Sequence, residues 1–158
     1  LSLLPETLKR RIFWIIARAC FAGYHWFPIF GALRASLAII QRDNRFLLIQ
    51  RNDGRGVSLP GGIASWRESE ELTLRREVLE ETGMTVTAQA FRLRYFSNAD
   101  VPCNISVFVV AASGDLKVSW EGTPRWMTLA ELEPQLLESQ RPVLDVLKDM
   151  AAGQRSGA

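Results

Sequence analysis

The stretch "SEELTLRREVLEETG", residues 69–83, constrains this chain more than any other. Ser69 is a capping residue, good helix formers follow it, and Gly83 is the usual terminator, so a helix is predicted over 69–82. At about 100° per residue, Glu77, Glu80 and Glu81 fall inside an arc of about 100°, with Leu72 and Leu79 nearly opposite. Carboxylates spaced three and four apart repel by a few tenths of a kcal/mol per pair, roughly. Arg76 can meet Glu80 one turn on, but one arginine cannot neutralise three acids and also serve Glu68. A divalent cation can, and carboxylate oxygens are the hard donors that Mg²⁺ or Mn²⁺ prefers. From the helix alone, a solvated acidic face fits equally well.

The 158 residues suffice for one domain with its own core, at 47% hydrophobic and 23% charged. Nineteen Lys and Arg against seventeen Asp and Glu leave a net charge of +2, too little for a surface that binds nucleic acid by charge alone. Cys20 and Cys103 match no metal-ligand spacing and no secreted disulfide framework, which points to a reducing, cytoplasmic setting. A Cys/His catalytic pair would need His25, the only histidine, which lies in an aromatic cluster and reads as a packing residue. The opening "KRRIFWIIARACFAGYHWF" resembles a signal peptide only superficially, because Arg18 breaks the apolar run and no cleavage site follows. A helix from Pro5 to about Tyr24 is expected there, docked on the domain. Its aromatic content leaves a peripheral membrane contact or a homodimer arm open.

Three units are expected: an N-terminal amphipathic, aromatic helix over 1–31, a catalytic-sized domain over 32–150, and a loose tail over 151–158. Two strands, Ala35 to Gln41 and Phe46 to Arg51, read as a hairpin turning at Asp43-Asn44. "NDGRGVSLPGG" is a glycine-rich connection to the acidic helix. "TVTAQAFRLRYF", "NISVFVVAAS" and a short piece around Arg125 to Met127 read as further strands of a mixed or antiparallel sheet. A closing helix, interrupted by Pro134 and Pro142, is expected between Ala130 and Met150.

The spacing around the acidic helix separates its two readings. Gly62, Glu68, Arg76, Glu77, Val78, Glu80, Glu81, Gly83 and Met84 fill every fixed position of the Nudix box, G-x5-E-x7-R-E-U-x-E-E-x-G-U with U aliphatic. Seven demanded identities at roughly one in fifteen each make a chance match on the order of 10⁻⁸ per start point. The "LPGG" turn and the "EGTPRWMTLAEL" stretch extend the resemblance over about Ala32 to Met150. The chain therefore resembles the Nudix hydrolases. That resemblance implies an α/β/α sandwich with a mixed sheet, to which the N-terminal helix read above would be an extension, and Mg²⁺- or Mn²⁺-dependent hydrolysis of a nucleoside diphosphate linked to another moiety. It implies metal binding by Glu77, Glu80 and Glu81 with the Gly61 carbonyl, and a structural salt bridge between Glu68 and Arg76. Glu121 resembles an acid that in some members adds a metal contact or acts as general base. One departure lies at Ser65-Trp66-Arg67-Glu68, where many members carry Glu-x-Gly-Glu.

The partner so implied is a small nucleotide-type molecule. Candidate substrate contacts are Arg51 and Arg55 for phosphate oxygens, Trp66 as a stacking platform or a core plug, and Gln140, which lies where oxidised-guanine sanitisers place a base reader. The competing class is a noncatalytic Nudix-fold module that binds a nucleotide or a protein partner; its usual sign, lost glutamates, is missing here.

Overall fold

A computed structural model describes residues 31–155, together with the isolated positions Ile15, Ala19 and Gly23. The expected N-terminal helix and the unit 1–31 otherwise lie outside the described residues, as do Cys20 and His25. In chain order the elements are β1 (Leu33–Ile39), β2 (Gln41–Arg42), β3 (Arg45–Arg51), β4 (Val57–Ser58), β5 (Gly61–Ile63), α1 (Glu70–Thr82), β6 (Thr85–Ser97), β7 (Cys103–Ser113), β8 (Gly122–Met127), α2 (Leu129–Leu132) and α3 (Leu144–Arg155). Short 3₁₀ segments, Glu133–Gln135 and Glu138–Val143, lead from α2 to α3. Among these residues no helix is long and apolar enough to cross a membrane.

One sheet has the order β5-β1-β7-β6, and the other runs β2-β3-β4 with β8 on the free side of β3. β1 and β7 pair in parallel, Leu37 opposite Val107 and Ile39 opposite Val109, while the other pairings are antiparallel. The fold is thus mixed α+β with a mixed sheet. Its interior strands are apolar on both faces because both faces are covered. Along β1 the side chains alternate: Ala35, Leu37 and Ile39 enter one core, Ala38 and the adjoining Ile40 the other. The first core is closed by Leu144, Leu147 and Ala151 of α3, the second by Leu74 and Val78 of α1. A helix on each face makes the three-layer sandwich.

Two expectations need correcting. The predicted hairpin of Ala35–Gln41 with Phe46–Arg51 forms only at its tip, where Gln41 faces Phe46 and Asp43 takes the left-handed turn at φ 52°. β1 itself leaves that pairing and sits between β5 and β7, an interior place that suits a strand apolar on both faces. The chain is also not loose from residue 151, because α3 runs on to Arg155 and buries Ala151 one turn beyond Leu147.

Candidate active site

Helix α1 is amphipathic in an unusual sense. Its capping is as the sequence predicts: the Ser69 hydroxyl accepts the Leu72 N–H, and Gly83 ends the helix at φ 78° with its N–H on the Leu79 carbonyl. Packing of Leu74 and Val78, both fully buried, fixes the helix's rotation on the sheet, and each contributes about 1.5–3 kcal/mol of apolar burial. Glu77 and Glu81 share that buried arc at 8% and 6% exposure, while Leu72 and Leu79 face solvent at 59% and 53%. Burying two acids while exposing two leucines costs stability. A helix selected only for packing would be turned the other way.

Arg76 holds the approach to this face. Its Nε and Nη2 donate to the two oxygens of Glu68, each at 2.9 Å, its Nη1 donates to Glu77 at 2.7 Å and to Glu80 at 3.3 Å, and its Nη2 also reaches the Ile63 carbonyl. Glu68 additionally accepts the Ser65 N–H and the hydroxyl of the buried Thr73. Hydrogen bonds from Arg76 first, and then from Ser65, bring the Glu68 carboxyl down to about 2. The loop 62–68 is thereby locked onto the helix.

Glu81 has a different environment. Its Oε2 accepts the Gly61 N–H at 2.8 Å, so it is the amide of Gly61 that the structure places on this acid. Gly61 adopts φ 145° tightly against the Ser36 carbonyl, where no larger residue fits, and a Cβ on Gly62 would lie 2.6 Å from the Glu77 carboxyl and displace it; the two glycines form a backbone cradle beside the acids. Burial pushes the Glu81 carboxyl well above the usual range; the Gly61 bond is the main opposing influence, and the neighbouring Glu121 and Glu77 reinforce the rise. Burial likewise raises Glu77, and Glu121 and Glu80 add to the shift against the pull of Arg76. Three helical acids and one from the turn before β8 therefore converge, and among the described residues Arg76 is the guanidinium that meets them, touching Glu77 and Glu80.

That donor set fits a hard divalent cation: carboxylate oxygens whose repulsion lacks a counter-charge, beside a backbone kept clear of side chains. Among the described residues no three of His, Cys, Asp or Glu are already drawn into a finished ligand cage. The reason is visible in the contacts, since Arg76 turns Glu77 and Glu80 towards itself and Gly61 holds Glu81. Glu80 is the freest of the three, with its side chain 59% exposed.

The proposed substrate contacts do not form one cluster. Arg51 and Arg55 both bind Asp53, whose side chain is only 7% exposed, and Arg55 also binds Asp100 at 2.7 Å. Burial pushes Asp53 up, but the hydrogen bonds from Arg51 and Arg55 outweigh it and hold the carboxyl well below its ordinary range. Trp66 is 83% exposed, which excludes the core plug. It lines an open groove of about 460 Å³ with Leu33, Arg34, Ala64 and Arg67. Gln140 is buried and its Oε1 accepts the Leu59 N–H at 2.7 Å, so half of its amide already serves the backbone. Asp53 and Thr73 were not singled out from the sequence. An acid between two arginines in "RNDGR" was a usable signal for the first, whereas nothing local marks Thr73.

A NUDIX domain matches residues 32–147. Over 113 residues the chain is 32% identical to a MutT-like protein of Streptomyces ambofaciens, covering 70% of this chain and 73% of that protein. Among solved structures it is similar to the MutT NUDIX hydrolase of Burkholderia pseudomallei, at 27% identity and TM-score 0.63 over 72% of this chain and 96% of that one. It shares the fold of the E. coli ORF135 protein at 23% identity and TM-score 0.67, over 80% of this chain and 96% of that one. The chain belongs to the Nudix family, whose hydrolases generally need divalent metal ions.

Proposed function

We propose that this protein is a metal-dependent nucleotide pyrophosphohydrolase, cleaving a phosphoanhydride bond in a nucleoside diphosphate linked to another moiety. The observation that carries the reading is the pair of buried, under-neutralised acids Glu77 and Glu81, set against the Gly61-Gly62 backbone with Glu121 as an acidic neighbour of both. Glu77, Glu80 and Glu81 would hold Mg²⁺ or Mn²⁺, with the Gly61 carbonyl as a further oxygen. When bound, such an ion stabilises charge on phosphate oxygens and acidifies water. Glu121 is the acid we assign to take a proton from the attacking water or to add one more oxygen. Glu68 and Arg76 keep the loop and helix in register. Arg51 and Arg55 meet phosphate oxygens, with Asp53 aiming both guanidiniums. Trp66 offers a stacking face, and Gln140, its oxygen taken by Leu59, offers its NH₂ group.

The test is product release from nucleoside triphosphates, ADP-ribose, nucleotide sugars and dinucleoside polyphosphates, with Mg²⁺, Mn²⁺ or EDTA. Turnover of one class that EDTA abolishes is the expected result and names the substrate. Silence across the panel with metal binding intact would turn the reading to a noncatalytic binding module.

A further inference from the structure

Glu121 is not carried by a helix or held inside a strand. It sits in the turn Ser119-Trp120-Glu121-Gly122, just before β8 begins at Gly122. An acid on a turn keeps a fixed direction only if the turn's backbone is fixed. From within, the turn is closed by Ser119, whose N–H donates to the Gly122 carbonyl at 3.1 Å and whose hydroxyl lies 3.3 Å from both the Gly122 N–H and carbonyl. These bonds define the turn's shape and leave its orientation towards α1 open.

Among the described residues, Asn52, in the turn that directly follows β3, ties the Glu121 turn to the neighbouring sheet edge. The β3–β8 ladder ends where Arg51 faces Gly122. One residue further, the Asn52 N–H donates to the Glu121 carbonyl at 3.1 Å, and the Asn52 Nδ2 donates to the Trp120 carbonyl at 2.9 Å. Two consecutive peptide units are thus gripped by the main chain and side chain of one residue. A rigid turn held at two successive carbonyls cannot swing about the ladder's end as it could if held at one. At Gly122 the approach is so close that a Cβ would lie 2.5 Å from the Gln50 carbonyl and from Ile49, so the turn is pressed against β3 where Asn52 grips it.

We infer that Asn52 is a positioning residue that aims Glu121 at Glu81 and Glu77. The inference rests on the role proposed for Glu121. Asn52 is itself solvent-exposed and Trp120 is 48% exposed, so these bonds lie at the surface and contribute little to global stability. Their value lies in the direction they impose on one carboxyl. Asn52 also precedes Asp53, which ties Arg51 and Arg55, so the loop proposed to take substrate phosphates is the same loop that holds the Glu121 turn.

Asn52→Ala removes the side-chain donor without adding charge, and Asn52→Asp keeps its shape but sets a carboxylate oxygen against the Trp120 carbonyl. Each is measured in the full chain alone and together with Glu121→Gln, reading kcat, KM, Mn²⁺ affinity by calorimetry and the thermal midpoint. With the midpoint and KM unmoved, kcat should fall about tenfold in both, within the range that small misplacements of a reacting group command. Mn²⁺ affinity should weaken several-fold in Asn52→Ala. In the Glu121→Gln background neither variant should lose anything more, because residues acting as one unit are not additive. Equal losses in both backgrounds, or no loss in the wild-type background, overturn the inference. A wild-type protein that binds Mn²⁺ but turns over nothing overturns the enzymatic reading instead, and the Mn²⁺ measurement then decides Asn52 by itself. Wild-type protein that binds no Mn²⁺ overturns both.

Discussion

Two acids, Asp53 and Glu81, have their side chains withdrawn from solvent in loops and helices that meet around one end of β3, and they have opposite electrostatic fates. Asp53 receives two guanidiniums, and their hydrogen bonds outweigh its burial and hold its carboxyl low. Glu81 receives one backbone N–H, and burial with two acidic neighbours drives its carboxyl high. The first cluster is closed within the chain: positive charge at least matches negative, and every partner is in place. The second carries an excess of negative charge that no cation among the described residues offsets. Burial alone therefore does not mark a binding centre. Burial without compensation does.

The largest expected effect comes from neutralising the uncompensated side. Glu81→Gln or Glu80→Gln should lower metal-dependent turnover by at least about a hundredfold, beyond what loss of an outer-shell partner usually costs. Full activity in both would sink the metal assignment. The same Glu81→Gln change should raise the thermal midpoint of the protein in EDTA, since it removes a buried charge and keeps the shape. Asp53→Asn should do the reverse. It strips two guanidiniums of their shared carboxylate and should cost about 2 kcal/mol, or about 4–8 °C for a domain of this size. If both variants moved the midpoint in the same direction, the contrast between the clusters would be broken.

A pH series on metal-free protein separates the two more finely. Glu81 is raised on folding, so above the unfolded carboxylate value of about 4.3 the unfolded chain holds fewer protons than the native one. Stability should accordingly fall as pH rises from there through the folded value of Glu81, and Glu81→Gln should flatten that fall. Asp53 is lowered on folding, so its contribution is present above about 3.9 and is lost as pH falls towards its folded value. Asp53→Asn should remove the Asp53 share of the acid-side loss, leaving the share of Glu68, and should leave the alkaline-side fall intact. Saturating Mn²⁺ at a hundred times its dissociation constant should add about 2.7 kcal/mol and suppress the Glu81 slope without touching the Asp53 slope. Thermal unfolding followed by circular dichroism between pH 3 and 9 reads all of these.

The acidic helix was legible in the sequence because its determinants are local. Ser69, Gly83 and the spacing of Glu77, Glu80 and Glu81 specify a capped helix with an acid face within fifteen residues. Which way that face turns was not legible. It depends on Leu74 and Val78 finding Phe108 and Val110 on a strand some thirty residues away. The departure of β1 from its expected hairpin has a similar origin, since its parallel partner β7 lies across the whole length of α1 and β6. Arg51 and Arg55 were marked as phosphate contacts from their place beside the glycine-rich loop, and their sharing of Asp53 follows from that same local stretch. The pairing of Asp100 with Arg55 was beyond reach, because it joins loops 45 residues apart. Gln140 was placed by motif alone, and its bond to Leu59 spans 81 residues.

The Arg55–Asp100 pair supplies the smallest and sharpest test. Both side chains are substantially exposed, at 44% and 38%, so removing the pair should cost less than about 1 kcal/mol. Asp53 would keep its hold on Arg55 through Nε at 2.9 Å, so Asp100→Asn should leave the guanidinium aimed while freeing its Nη1. If Arg55 serves substrate phosphate, it now competes with Asp100 for that nitrogen. Relieving the competition should lower KM a few-fold with kcat unchanged, the signature of stronger uniform binding. If Arg55 serves only to tie the 53–55 loop to the β6–β7 connection, the same change should loosen that connection and raise KM or leave it unmoved. The sign of the KM shift, read with the thermal midpoint as a control, decides whether the compensated cluster is purely structural or lends one of its arginines to the uncompensated one.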